Sequence, residues 1–216
     1  FNSMLREGRR VVAIDHRLGL KGQKNVGLGS LDAIDNAIHI AVEDLFSATG
    51  FIIDNAAELG IDTENIVLMG SSAGAISVLQ AEYEICNGNR CTQVLPEGFN
   101  YKGVVSLAGA ILSRNGALKY AKAPCPMLLF HGTADKVVNY KQTKFFKIGW
   151  YGSNTIASVC RKNGYNHCIY RYEGARHEIA GSGLENLPVI LDFLETNVTE
   201  GVARYVDATV VDPRIR

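Results

Sequence analysis

The stretch Ile66-Val67-Leu68-Met69-Gly70-Ser71-Ser72-Ala73-Gly74 constrains this chain more than any other. A short apolar run reads as a buried strand, a Gly-x-Ser-x-Gly turn comes next without a spacer, and the amphipathic stretch from Ala75 to Ile85 reads as a helix. That order puts Ser72 on a strained elbow, its hydroxyl exposed above a sheet and a helix N-terminus beneath it. Gly70 and Gly74 are expected to be glycines because a Cβ at either would collide with the neighbouring strand or helix. Ser71 is a decoy, since only the middle residue of such an elbow projects its side chain. Ser72 is the candidate nucleophile, and it needs a base and an acid.

Two later segments supply them in a telling order. Pro126-Met127-Leu128-Leu129-Phe130 reads as a buried strand ending in His131-Gly132-Thr133-Ala134-Asp135. Cys168-Ile169-Tyr170-Arg171-Tyr172 reads as another, ending in Glu173-Gly174-Ala175-Arg176-His177-Glu178. Parallel strands carry the loops at their C-terminal ends to one rim, so Ser72, Asp135 and His177 should meet there. Among the other histidines, His131 is expected to stabilise the acid loop, His16 and His39 to be structural, and His167 to lie on a loop surface. Asp135 could instead close an Asx turn. Asp54 and Asp62 are weaker acids, the first inside a helix and the second resembling an N-cap before Glu64. Glu178 could orient the histidine loop, though a solvated role is favoured. Arg17 and Asp44 are expected to form a buried ion pair tying strand to helix.

The pattern alternates strand and helix, which argues for an α/β fold, a mostly parallel sheet with helices on both faces. Near-continuous apolar runs predict strands at Arg10–Asp15, Ile66–Gly70, Gly103–Ala108, Pro126–His131 and Cys168–Glu173. Helical spacing predicts a long helix over about 31–59, with Ser30 as N-cap and Gly50 as a bend. Further helices are expected at Ala73–Ile85, Lys141–Lys147, Thr155–Lys162 and Leu187–Asn197. Three segments, Leu18–Gly29, Gly109–Ala123 and Lys147–Asn154 with Trp150 and Tyr151, should shape an open or shallow pocket. One domain is expected over 1–216, with the tail 199–216 either an edge strand or an arm gripping a neighbour.

Residues 66–198 resemble the α/β-hydrolase superfamily, most nearly small carboxylesterases, including bacterial carbohydrate and feruloyl esterases. Gly-Ser-Ser-Ala-Gly, His-Gly-Thr-Ala-Asp and Gly-Ala-Arg-His-Glu carry the likeness, and the order Ser72, Asp135, His177 is the one that superfamily uses. Upstream, Val11–Gly19 resembles the family's fourth strand and its Tyr-Arg-Leu tail, with His16 in place of the tyrosine. The resemblance implies a Ser-His-Asp triad hydrolysing carboxylic esters through an acyl-enzyme without a cofactor or metal. The Ala73 N–H would serve as one oxyanion donor. The second donor would come from a His-Gly-Gly-type loop, but the sequence begins at Phe1-Asn2-Ser3, where that loop should just have ended. The chain is therefore expected to be a fragment lacking the first strands of the fold. Peptidases and thioesterases use the same triad, and a non-catalytic binding module is the rival from another class. Prolyl-peptidase relatives usually carry a bulky aromatic after the serine, so Ala73 leans toward an esterase.

Composition sets the remaining limits. Zero net charge gives no basic footprint for nucleic acid, and no apolar run is long enough to span a bilayer. The partner expected is a small or polysaccharide-attached ester, with self-association left open. Cys86/Cys91 and Cys160/Cys168 each bracket a loop that a disulfide would suit, which hints at a periplasmic or secreted protein rather than a cytoplasmic one. Cys125 reads as a buried thiol, and neither pair has the spacing of a zinc site.

Overall fold

A computed structural model describes residues 2–22 and 31–212. Its centre is a five-stranded parallel sheet. The strands are β1 (Val67–Ser71), β2 (Gly103–Leu107), β4 (Met127–Gly132), β7 (His167–Tyr172) and β8 (Val206–Val210), adjacent in that order. Within the tail, β8 is an edge strand among the described residues, Val206 opposite Cys168 and Val210 opposite Tyr172.

Strand side chains alternate between faces. Val104, Met127, Leu129 and Ile169 point into one core, while Val105, Leu107, Leu128, Phe130 and Cys168 point into another. Both faces are covered, which is why these strands read as unbroken apolar runs. The first core is roofed by α2 (Leu31–Asp54), α4 (Ala73–Asn87) and α5 (Ser153–Asn163), with Val42, Leu45, Phe46, Val78, Leu79, Ile156 and Cys160 buried. The second is closed by α6 (Leu187–Phe193) and the wider turn Leu194–Thr199, through Ile190, Phe193 and Val198. Met4, on the short helix α1 (Asn2–Arg6), packs against this second core. Burying a side chain the size of Phe46 or Phe193 contributes about 1.5–3 kcal/mol.

Several expectations are corrected. Arg10–Asp15 is not a strand: it pairs with no strand among the described residues, where β1 is the sheet edge on that side. An apolar run favours extended backbone, but a strand exists only where a neighbour takes its hydrogen bonds. Val11, Val12 and Ile14 instead line a groove of about 410 Å³ against Ala48, Phe51, Ile52, Leu59 and Ile61. The long helix is continuous through Gly50 and breaks at Asn55, whose side-chain amide donates to the Phe51 carbonyl; α3 (Ala56–Leu59) comes next. Ser30 and residues 23–29 lie outside the described residues.

Lys141–Lys147 is not helical. Gln142–Phe145 (β5) forms a hairpin with Ile148–Gly152 (β6), and β6 pairs in turn with Ala110–Ser113 (β3) in a separate antiparallel sheet. The pairing of Thr143 with Trp150 and Gln142 with Tyr151 overrides local helical spacing. Of the segments expected as pocket-shaping loops, Lys147–Asn154 is mostly the strand β6, Gly109–Ala123 is strand only at β3, and Leu18–Gly29 forms a turn over 19–22 as far as it is described; Tyr151 is a core residue. Arg17 and Asp44 do pair, the Arg17 Nε donating at 2.8 Å, but the arginine is 62% exposed and also reaches Glu43. His167 is buried at the start of β7, its ring edge-on to Tyr205 beside β8, rather than on a loop surface.

All five cysteines are free thiols. Cys86, Cys125 and Cys160 sit in the first core, and burial pushes the Cys160 thiol up to about 12. No disulfide joins Cys86 to Cys91 or Cys160 to Cys168.

Candidate active site

The elbow is a local consequence of sequence. β1 ends at Ser71, α4 begins at Ala73, and Ser72 between them takes φ 52° and ψ −118°, a region costly for a side chain with a Cβ. The conformation is held by the Ser72 N–H, which donates to the Leu107 carbonyl on β2 at 2.9 Å. The turn is so tight that a Cβ on Gly70 would lie 2.3 Å from the Gly74 carbonyl oxygen. Gly74 differs from expectation: a Cβ there would meet nothing within 4 Å. Its place in the motif is therefore not explained by a clash.

Acid and histidine reach the same rim from β4 and β7, which are paired through His131 opposite Arg171 and Gly132 opposite Tyr172. The two loops are then stitched together. The Ala134 N–H donates to the Ala175 carbonyl at 2.8 Å, the Gly174 N–H to the Thr133 hydroxyl at 2.9 Å, and the Thr133 N–H to the Tyr172 carbonyl at 2.9 Å. The approach leaves no room for a side chain on Gly132, where a Cβ would lie 2.3 Å from the Arg176 carbonyl oxygen.

The result is a line of side chains. Ser72 Oγ lies 2.8 Å from His177 Nε2, and His177 Nδ1 lies 2.8 Å from Asp135 Oδ2. The Asp135 side chain is fully buried, that of His177 26% exposed. The two readings of Asp135 hold together: Oδ1 accepts from the Val137 and Val138 N–H groups at 2.8 and 3.0 Å, an Asx-type turn, and that turn aims Oδ2 at His177. The Ala73 N–H opens α4, in the first turn where backbone donors have no intrahelical acceptor.

The remaining candidates separate cleanly. Asp62 caps a short 3-10 turn by accepting from the Glu64 N–H, and Asp54 ends α2. Glu178 is exposed and accepts from the Arg176 N–H at 2.9 Å, so it orders the histidine loop as well as being solvated. Ser71 has a task that elbow geometry did not reveal: its hydroxyl donates to the Ala180 carbonyl at 2.6 Å. Among the described residues, no cluster of three or more His, Cys, Asp or Glu side chains is arranged to hold a metal, and no helix is long and apolar enough to cross a membrane.

Comparison with known proteins bears on the fold. Residues 32–112 match the BD-FAE family model. No curated protein sequence matches the chain. Among solved structures, a truncated form of a carbohydrate esterase from gut microbiota superposes with a TM-score of 0.59 at 16% identity, over 87% of this chain and 73% of that one. This is an α/β-hydrolase fold. The thermophilic esterase Est2 of the Planctomycetes species Thermogutta terrifontis, with propionate bound, matches that fold with a TM-score of 0.51 at 20% identity, over 73% of this chain. The same esterase phosphorylated by paraoxon matches equally, with a TM-score of 0.51 at 20% identity, over 73% of this chain and 63% of that one. The chain spans 65% of the length of the propionate-bound Est2.

Proposed function

We propose that this α/β hydrolase is a serine carboxylic-ester hydrolase working through an acyl-enzyme, with Ser72 as nucleophile, His177 as base and Asp135 as the acid that orients it. The observation that carries the reading is the unbroken line from Ser72 Oγ through His177 to the buried Asp135 carboxylate, each step 2.8 Å.

The chemistry depends on which atom holds the proton. Asp135 Oδ2 is an acceptor, so a neutral His177 keeps its proton on Nδ1 and offers a lone pair at Nε2. As Ser72 Oγ bonds to the ester carbonyl carbon, its proton passes to Nε2. The carbonyl oxygen gains negative charge, which the Ala73 N–H and the positive end of α4 favour. Collapse of the tetrahedral species breaks the bond to the alcohol oxygen, which takes the proton from Nε2. Water then repeats the sequence on the acyl-Ser72 ester and releases the acid.

Short acyl or carbohydrate-linked esters are the proposed substrates. Support comes from the BD-FAE match over 32–112 and from the fold shared with a gut carbohydrate esterase and with Est2, whose structures include a propionate complex and a paraoxon-phosphorylated form.

The deciding experiment is intact mass after incubation with a fluorophosphonate, with Ser72→Ala as control. A single adduct lost in the variant is expected; no adduct on folded protein would return the chain to the non-catalytic reading. A panel of matched esters, thioesters and amides then separates esterase from thioesterase and peptidase.

A further inference from the structure

One fully buried polar group in the rim stands beside the line of three without being part of it. His131 is the second-last residue of β4, four residues before Asp135, and is completely excluded from solvent, as is Ser153 at the start of α5. His131 Nε2 lies 2.9 Å from the Val138 carbonyl oxygen and 3.4 Å from Asp135 Oδ2. Both are acceptors, so Nε2 must carry the hydrogen. Nδ1 is then the lone-pair nitrogen, and it lies 2.8 Å from Ser153 Oγ, which donates to it. The tautomer of His131 is thus set from both ends. Burial also lowers its tendency to take a second proton, consistent with a neutral ring.

The carbonyl His131 holds belongs to the residue whose N–H holds Asp135 Oδ1 at 3.0 Å. Val138 is therefore gripped on both sides, by His131 through its carbonyl and by the carboxylate through its amide. The far end of the same loop is gripped by the β6–α5 junction. The Gly152 N–H donates to the Lys141 carbonyl at 2.7 Å and the Asn154 N–H to the Tyr140 carbonyl at 3.1 Å. A Cβ on Gly152 would sit 1.9 Å from the Asn139 carbonyl oxygen, so only glycine permits that approach. The Tyr140 ring stands edge-on to His131 at 5.5 Å between centroids.

We propose that His131, locked in its Nε2–H tautomer by the Ser153 hydroxyl, is a positioning residue that fixes the angle at which Asp135 meets His177. The β6–α5 junction is thereby coupled to the reactivity of Ser72. The inference rests on the triad reading above. A group so placed bonds neither substrate nor the reacting atoms; it acts through the carboxylate.

The test is the rate of fluorophosphonate labelling of Ser72 against pH, for wild type, His131→Leu, His131→Gln and Ser153→Ala, each checked for folding by near-UV circular dichroism. If wild type itself is not labelled, the triad reading fails. If wild type is labelled, His131→Leu is expected to slow labelling roughly 10- to 100-fold, the scale of a small misplacement in a reacting line. Its acid limb should move to lower pH, because a His177 with a loosened carboxylate is protonated less readily. His131→Gln, which returns an N–H near the Nε2 position, should recover most of the rate and the limb. Ser153→Ala should lie between wild type and His131→Leu, and it decides the matter if the leucine variant does not fold. Folded variants labelled at the wild-type rate with an unmoved acid limb would overturn the proposal, as would a loss that glutamine does not repair.

Discussion

The Ser71 hydroxyl donates to the Ala180 carbonyl at 2.6 Å, joining the last residue of the nucleophile strand to the 3-10 turn that begins at His177. Residues 109 apart in sequence therefore tie Ser72 to His177, the proposed nucleophile and base, although neither Ser71 nor Ala180 has a part in the proposed chemistry. Removing the hydroxyl as Ser71→Ala deletes one hydrogen bond, a net loss of about 0.5–1.5 kcal/mol. If that loss falls on the alignment of His177, turnover should drop roughly 2- to 10-fold with KM little changed. Steady-state kinetics on a short-chain aryl ester measure this, and equal kcat in both proteins would show that the contact serves stability alone.

Asp135→Asn isolates the carboxylate from the turn it closes. The amide oxygen can still accept from the Val137 and Val138 N–H groups, so the loop should survive. An NH2 group then faces His177 Nδ1 and favours the wrong tautomer. A fall in kcat of about 10⁴-fold is expected with the melting temperature nearly preserved. A residual rate within tenfold of wild type would assign the acid elsewhere.

The two elbow glycines should respond oppositely. At Gly70 a new Cβ would meet backbone atoms at 2.3–2.7 Å, contacts that only a moved elbow can relieve. Gly70→Ala should therefore abolish labelling and lower stability by several kcal/mol, within the range known for severe overpacking and strain. At Gly74 the space is open, and Gly74→Ala should fold and label like wild type. Side-by-side thermal melts and labelling of the pair make the comparison.

Glu82 makes stability depend on pH in an unusual direction. It is fully buried in α4; Oε1 accepts from the Cys125 N–H at 2.7 Å, while Oε2 has no partner among the described residues. Burial raises its carboxyl above the ordinary carboxylate range. The folded chain thus holds this proton more tightly than the unfolded chain. The resulting stability is complete below the unfolded pKa and is lost as pH rises through the folded one. Glu82→Gln, neutral at every pH, should match wild type in acid and gain on it as pH rises. Urea midpoints between about pH 5 and 8 test the sign, and parallel curves would place no titrating proton at this site.

Some of this molecule is local and was readable as such. Ser72, Asp135 and His177 each come after an apolar run, and the backbone chemistry of Gly70, Gly132 and the Asx turn acts over a few residues. What escaped the sequence has its cause far along the chain. Arg10–Asp15 has the composition of a strand but no neighbour to bond among the described residues, while Lys141–Lys147 has helical spacing but meets Gly149–Tyr151 as a β partner. His167 looks polar and loop-bound until the approach of Tyr205 and β8 covers it.

The sequence alone determined the strand–elbow–helix element, the strand-end positions of Ser72, Asp135 and His177 and the α/β alternation, because each depends on backbone propensities and hydrophobic periodicity within a short window. Only the tertiary structure decided that Ser71 ties the histidine turn to the elbow, that Ser153 sets the tautomer of His131, and that five cysteines remain thiols. Those outcomes depend on distances between groups tens of residues apart, and packing sets such distances only once the whole sheet has formed.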